Sequence, residues 1–267
     1  MLTAMALAQG ATQQTPNAAA PSKQAESAPA AKGPAPKTQA EYDAYKAAAS
    51  QPDPAKVEAA ATDFAEKFPA SELRPFLFQQ AMALYQQANN PDKTLEMARS
   101  VLKYDPANPV ALLTAAQMLA ERTHAEDLDR NDRLAEANTD AQSALQHAAT
   151  IPQPPNLTAE QFAAALAQLR GTAHEVIGTV SFKKEDYAAA IKEYNAAAAE
   201  EKEHTDPVVY LRLAVSYDKS GDVKSAIDAA QKAVASSEPG SQIRELAEQE
   251  KARLDKAPTA AAKPASK

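Results

Sequence analysis

The segment His174–Ala197 reads HEVIGTVSFKKEDYAAAIKEYNAA, and its apolar residues recur with the spacing of two α-helices joined by a short turn. The segment Tyr210–Ala233, YLRLAVSYDKSGDVKSAIDAAQKA, repeats that spacing 36 residues later. In the first segment the small residue Gly178 lies 19 residues before Ala197, and in the second the small residue Ala214 lies 19 residues before Ala233. A single helix pair cannot bury its own apolar face, so the repetition predicts a protein built from stacked helix pairs.

Two further copies of the pattern lie upstream in the chain. In the first copy, Met82 precedes Val101 by the same 19 residues. In the second copy, Ala116 precedes Ala144 by 28 residues, so about nine extra residues separate its helices. The extra residues fall in Glu121–Asp132, which has five acidic side chains and which we expect to form an exposed loop or a second contact point for a partner.

This pattern resembles the tetratricopeptide repeat family, whose 34-residue helix–turn–helix unit combines small residues, large residues and a closing proline at set positions. The residues that carry the resemblance are 187–197, 213–217, Gly221 and Asp222, and the inter-repeat turn at 102–109. The resemblance covers about residues 71–239. It implies an all-α fold, a right-handed α-solenoid of about five helix–turn–helix hairpins followed by a C-terminal capping helix.

The composition agrees with a helical protein. The chain has 65 alanines among its 267 residues, only 6 glycines, and no cysteine or tryptophan. Alanine is the strongest helix former, and its small side chain lets helices approach closely. The lack of cysteine excludes disulfides, thiolate zinc sites and cysteine nucleophiles. With 35 acidic and 28 basic side chains the net charge is −7, so no nucleic-acid partner is expected.

The composition changes along the chain and predicts four parts. Residues 1–8 end in Ala6-Leu7-Ala8, a pattern typical of a signal-peptide cleavage site, so we expect a remnant or truncated signal peptide there. Residues 9–37 contain five prolines and no bulky apolar residue, which predicts a disordered linker. Residues 257–267 predict a matching disordered tail, and residues 38–256 form the predicted helical repeat domain.

Asx–Pro pairs mark the starts of helices within the repeat domain. The Asx side chain can accept a free N–H group, and proline at the first helical position loses no hydrogen bond. The four pairs begin at Asp53, Asn90, Asn108 and Asp206. Thr158 and Gln161 add a predicted capping box at the start of another helix.

The two ends of the repeat domain are predicted to differ from its middle. Residues 38–68 form a divergent first hairpin, in which Tyr42 and Tyr45 face the apolar side of the second helix. A last helix at about 241–256 has one apolar face and one face of charged and amide side chains, which is typical of a cap at the end of a repeat array.

No motif for catalysis or metal binding is complete in this sequence. His174-Glu175 begins a zincin-like string, but Gly178 occupies the position of its second histidine. Asp127-x-Asp129-x-Asn131 resembles the start of a calcium loop whose glycine and bidentate glutamate are replaced. We therefore expect no catalytic residue, no cofactor and no metal site, and we do not expect an enzyme.

The resemblance places partner binding on a concave face that the first helix of each repeat lines. It implies these partner-binding residues: Phe76, Gln79, Gln86, Leu113, Gln117, Glu175, Thr179, Phe182, Leu211 and Val215. This amide-rich and apolar set suits an extended segment or a helix of a partner better than a C-terminal carboxylate. The alternative is that these side chains pack against adjacent helices.

Three functions remain open from the sequence. The first is a bacterial adaptor without catalytic activity, exported to the periplasm or secreted, that binds a protein or peptide through its concave face. The second is a structural spacer or self-association module of the cell envelope. The third is an accessory subunit of an envelope enzyme complex. A cytoplasmic location is the alternative to export, and no apolar run is long enough for a membrane span.

Overall fold

The computed structural model of the chain describes residues 33–202 and 205–256. Over these ranges the chain forms eleven α-helices and no β-strand. The helices are α1 (Gln39–Ala49), α2 (Pro54–Lys67), α3 (Arg74–Gln87), α4 (Pro91–Tyr104), α5 (Pro109–Arg122), α6 (Arg130–Ala148), α7 (Ala159–Lys183), α8 (Tyr187–Glu201), α9 (Pro207–Ser220), α10 (Val223–Ser236) and α11 (Gln242–Lys256). The predicted signal segment 1–8, most of the predicted linker 9–37 and the predicted tail 257–267 lie outside the described residues.

The helices follow one another along the chain as five successive pairs and one last helix. This order confirms the prediction of an all-α protein built from about five helix hairpins and a C-terminal helix, whereas the right-handed superhelix stays a prediction. Within the described ranges, every helix is too short or too polar to cross a membrane.

The predicted start signals begin their helices. Each of the four Asx side chains accepts a hydrogen bond from a backbone N–H of the first turn, at donor–acceptor distances between 2.8 and 3.2 Å. In the predicted capping box, Gln161 N donates to Thr158 Oγ1 at 3.2 Å and Thr158 N donates to Gln161 Oε1 at 3.0 Å. Local side-chain chemistry therefore fixes where these helices start.

The helices form two compact units, the first of which comprises the described residues up to Ala115 together with 150–165. Helices α1 to α4 pack in sequence, each against the next of the four. The Tyr45 ring meets the Phe64 ring edge-on at 6.0 Å between centroids, as predicted. The same prediction for Tyr42 is wrong, because the packed stripe of α1 contains Glu41 and Ala48 and leaves Tyr42 exposed beside it.

The second unit comprises residues 116–149 and the described residues from Leu166 onward. Helices α8 to α11 pack in sequence, and α11 also contacts α9. In this unit the ring of Tyr194 on α8 lies against Gly178 on α7, where an added Cβ would be only 2.8 Å from the ring carbons Cδ1 and Cε1. The small residue of the repeat is therefore required by close helix contact.

Alanines occupy the same kind of contact elsewhere in the two units. The alanines at the repeat positions have no exposed surface, and they are Ala81, Ala116, Ala190, Ala214, Ala226 and Ala233. Because a larger side chain would hold two helices apart at these points, the spacing of the alanines determines how closely the helices of a pair approach.

Candidate partner-binding site

The sequence-predicted partner-binding residues lie on the first helix of four successive pairs, α3, α5, α7 and α9. Gln79, Leu113 and Thr179 are buried, which agrees with the alternative that they pack against adjacent helices. Gln86 is exposed. The partly exposed members are Phe76, Gln117, Glu175, Phe182, Leu211 and Val215. Their role in partner binding stays a prediction.

Two of these residues, Glu175 and Thr179, meet in a polar cluster of the second unit. The Arg212 cluster consists of Glu121, Glu175, Thr179, Tyr194 and Arg212. Arg212 Nη2 donates to both carboxylate oxygens of Glu121, at 2.8 and 3.0 Å. Arg212 Nη1 donates to Glu175 Oε1 at 3.2 Å and to Thr179 Oγ1 at 2.9 Å. One guanidinium on α9 thereby joins the end of α5 to the middle of α7.

The hydroxyl of Thr179 is saturated within the cluster. It donates to the backbone oxygen of Glu175 at 2.9 Å, and it accepts from Arg212 Nη1 and from the Tyr194 hydroxyl, the latter at 3.2 Å. A threonine hydroxyl has one proton and two lone pairs, so each of these is used. Burial raises the pKa of Tyr194 to about 12, which keeps its hydroxyl a donor at physiological pH.

The carboxyl group of Glu175 lies in an unfavourable place for a negative charge. Its side chain is 19% exposed, and burial raises the pKa of Glu175 to about 7 although Arg212 opposes the rise. The nearby charges of Asp206, Glu121 and Glu201 raise the pKa further. Near neutral pH this group is therefore divided between its charged and its neutral form.

The end of α7 holds the end of α5, and with it Glu121, in position. Lys183 Nζ donates to the backbone oxygens of Glu121 and Thr123, at 3.0 and 2.7 Å. Arg130 in turn donates to the backbone oxygen of Lys183. Burial lowers the pKa of Lys183. Because these bonds fix the C-terminal turn of α5, Glu121 stays within reach of Arg212.

The predicted insertion 121–132 is shorter as a loop than the sequence suggests, because α5 ends at Arg122 and α6 begins at Arg130. The side chain of Leu128 is fully exposed in this loop. Asp127 and Asp129 both face Arg133, at 3.5 and 3.9 Å. Among the described residues no group of three potential metal ligands comes together, in this loop or elsewhere.

The histidine of the incomplete zincin-like string has a different partner. His174 Nδ1 lies 2.8 Å from Glu193 Oε2, so the ring on α7 faces a carboxyl group on α8. A second α7–α8 pair joins Arg170 and Glu200 at 2.8 Å. Both pairs hold the two helices of one hairpin together, which is a structural use of these side chains.

Arg212 is the residue of this cluster that the sequence reasoning missed. The resemblance implies that its neighbour Leu211 faces the partner, whereas it does not single out Arg212 itself. One sequence feature could have identified it: Arg212 is the only charged residue in the otherwise apolar and hydroxyl-bearing run 207–217. A charge inside the apolar half of a helix requires partners, and here those partners are on α5 and α7.

Helix pairs that repeat along the chain, with small buried residues at their contacts, define a helical-repeat fold. No protein-family model matches the sequence, and no curated protein matches it either.

Solved structures of similar helical arrangement include three proteins. The type IV pilus biogenesis factor PilW is 17% identical, with a TM-score of 0.47, covering 82% of this chain and 91% of PilW. The protein TTC0263 of Thermus thermophilus, a tetratricopeptide repeat protein, is 16% identical, with a TM-score of 0.43, covering 79% of this chain and 98% of its own. MamA is 19% identical, with a TM-score of 0.42, covering 68% of this chain and 84% of its own. At identities this low, the fold assignment rests on the helices of this chain.

Proposed function

We propose that this protein is a scaffold without catalytic activity, and that it binds a protein partner through a face of the second unit formed by α7 and α9. The supporting observation is that the apolar side chains of Phe182, Leu211 and Val215, which the resemblance implies as partner contacts, remain partly exposed on these two helices. Stacked helix pairs present the first helix of each pair on a continuous surface, and proteins of this type use that surface for recognition.

The chemistry of the proposed face combines apolar contact with fixed charge. Phe182 on α7 and Leu211 and Val215 on α9 remain partly exposed, and the same two helices contribute Glu175, Thr179 and Arg212 to the Arg212 cluster. Apolar side chains around a fixed polar group are the usual composition of an interface, because the apolar area supplies binding energy and the polar group fixes the register of the partner.

A site-specific photo-crosslinking experiment tests this face. We expect a benzoylphenylalanine introduced at Leu211 or Val215 to capture a partner protein in the native host. The matched control is the exposed position Ala235 on α10, the second helix of the pair, which we expect to capture nothing.

Capture from Ala235 but not from Leu211 or Val215 would rule out the proposed face. An adduct with the mass of two copies of this chain would instead favour the self-association module.

We also propose that the protein is exported. The support is the cleavage pattern Ala6-Leu7-Ala8 followed by a segment rich in alanine and proline. N-terminal sequencing of the protein from fractionated cells tests this, and we expect a chain that begins at Gln9 outside the cytoplasm. An intact Met1 in the cytoplasmic fraction would contradict export.

A further inference from the structure

The two carboxylates that pair with Arg212 differ in their surroundings. Glu121 receives two hydrogen bonds from the guanidinium and its side chain is 43% exposed, whereas Glu175 receives one and is 19% exposed. Burial favours the neutral form of a carboxyl group, and a bidentate pair with arginine favours the charged form. When protons are added, Glu175 is therefore the member of this pair that takes up the first one.

Charged and titratable groups of three neighbouring helices act on Glu175. They are Arg212 and Asp206 from α9 and its cap, Glu121 from α5, and Glu201 and Tyr194 from α8. Three of them are carboxylates that repel the charge of Glu175, and one guanidinium attracts it at contact distance. Lys183 is engaged with backbone oxygens of Glu121 and Thr123.

We propose that the Arg212 cluster is a proton-sensitive link between α7 and α9, in which uptake of one proton by Glu175 replaces an ion pair with a weaker neutral hydrogen bond. The proton adds to a carboxylate oxygen of Glu175, so the combined charge of Glu121, Glu175 and Arg212 changes from −1 to zero. Arg212 keeps its bidentate pair with Glu121 and its bond to Thr179, so the link loosens without breaking.

This link regulates the face formed by α7 and α9, and in that respect it rests on the proposed function. Leu211 is the neighbour of Arg212 on α9, and Phe182 follows Thr179 on α7 by one turn. A partner on this face would therefore meet either a negative or a neutral cluster, depending on the proton at Glu175. The pKa of about 7 puts the change near neutral pH.

The sign of the effect on stability follows from the direction of the pKa shift. The folded-state pKa of Glu175 lies above its ordinary value of 4.5, so between those two values the folded state holds more protons than the unfolded state. The free energy of unfolding therefore falls as the pH rises through that window. This loss of stability is complete above the folded-state pKa of Glu175 and absent below its unfolded-state pKa.

The test uses the full chain and needs no partner. We expect the Nε–Hε resonance of Arg212 and the carboxyl resonance of Glu175 to titrate together with a midpoint near pH 7 in nuclear magnetic resonance spectra. In Glu175→Gln the Arg212 resonance should no longer move, and the fall in the urea midpoint between about pH 5 and about pH 8 should shrink.

The matched control is Glu200→Gln, which removes another arginine-paired carboxylate on the α7–α8 hairpin and should leave the Arg212 titration in place. An Arg212 resonance that does not change with pH in the unaltered protein overturns the link, and this measurement does not depend on either variant folding. A titrating Arg212 with pH-independent crosslinking at Leu211 overturns the regulatory role alone. Loss of all crosslinking at Leu211, with the titration intact, overturns the proposed function and leaves the link standing.

Discussion

Arg212→Ala lowers the free energy of unfolding by about 3 kcal/mol at about pH 8, because it leaves Glu121 and Glu175 without their cation. Glu175 is the more costly of the two, since its side chain is largely buried and three other carboxylates surround it. The substitution also leaves Thr179 Oγ1 without one of its two donors. Unfolding by urea, followed by circular dichroism, measures the change.

The same substitution should be less harmful at about pH 5, where Glu175 is protonated and needs no counter-ion. The matched control is Arg253→Ala on α11, whose side chain is half exposed and pairs with Asp218 and Glu250. Surface pairs contribute on the order of 1 kcal/mol or less, so this variant should change little. An equal fall in the free energy of unfolding in the two arginine variants would show that the Arg212 cluster stabilises the protein no more than an exposed ion pair does.

The helices and their contacts could largely be predicted from the sequence, because both depend on local rules. The Asx–Pro pairs give the helix starts through hydrogen bonds within one turn. The small residues Gly178 and Ala214 give the contacts through their spacing, and both are buried where the repeat predicts. The side chains that face a neighbouring helix thus follow from a period that is visible in the chain itself.

The Arg212 cluster could not be predicted in this way. Arg212 and Glu121 are 91 residues apart in the chain, and their pairing depends on how α5, α7 and α9 pack in space. The prediction for Tyr42 failed for a similar reason. The helical period does not specify whether Glu41 or Tyr42 packs against the adjacent helix, and in the structure Glu41 is the buried one. The resemblance implied Glu175 as a partner contact. For the same reason it gave no indication that Glu175 accepts a hydrogen bond from Arg212.

Tyr194→Ala should lower the free energy of unfolding by about 4 kcal/mol, the largest loss we expect from a single apolar truncation in this protein. Tyr194 is the largest side chain without exposed surface among the described residues, and it fills the space between α8 and α7. Tyr194→Phe keeps the ring and removes only the hydrogen bond to Thr179, so it should lose about 1 kcal/mol. Thermal and urea unfolding measure both.

Gly178→Ala, made with and without the Tyr194 ring, tests whether these two residues are in direct contact. In the unaltered protein the new Cβ lies 2.8 Å from the Tyr194 ring, so the substitution should destabilise by about 1–3 kcal/mol although alanine is the better helix former. In the Tyr194→Ala background the ring is gone, and the same substitution should stabilise by up to about 1 kcal/mol. A change of sign between the two backgrounds is the signature of direct contact between these two residues, and a change that is the same in both would mean that the small residue of the repeat is not required by helix contact.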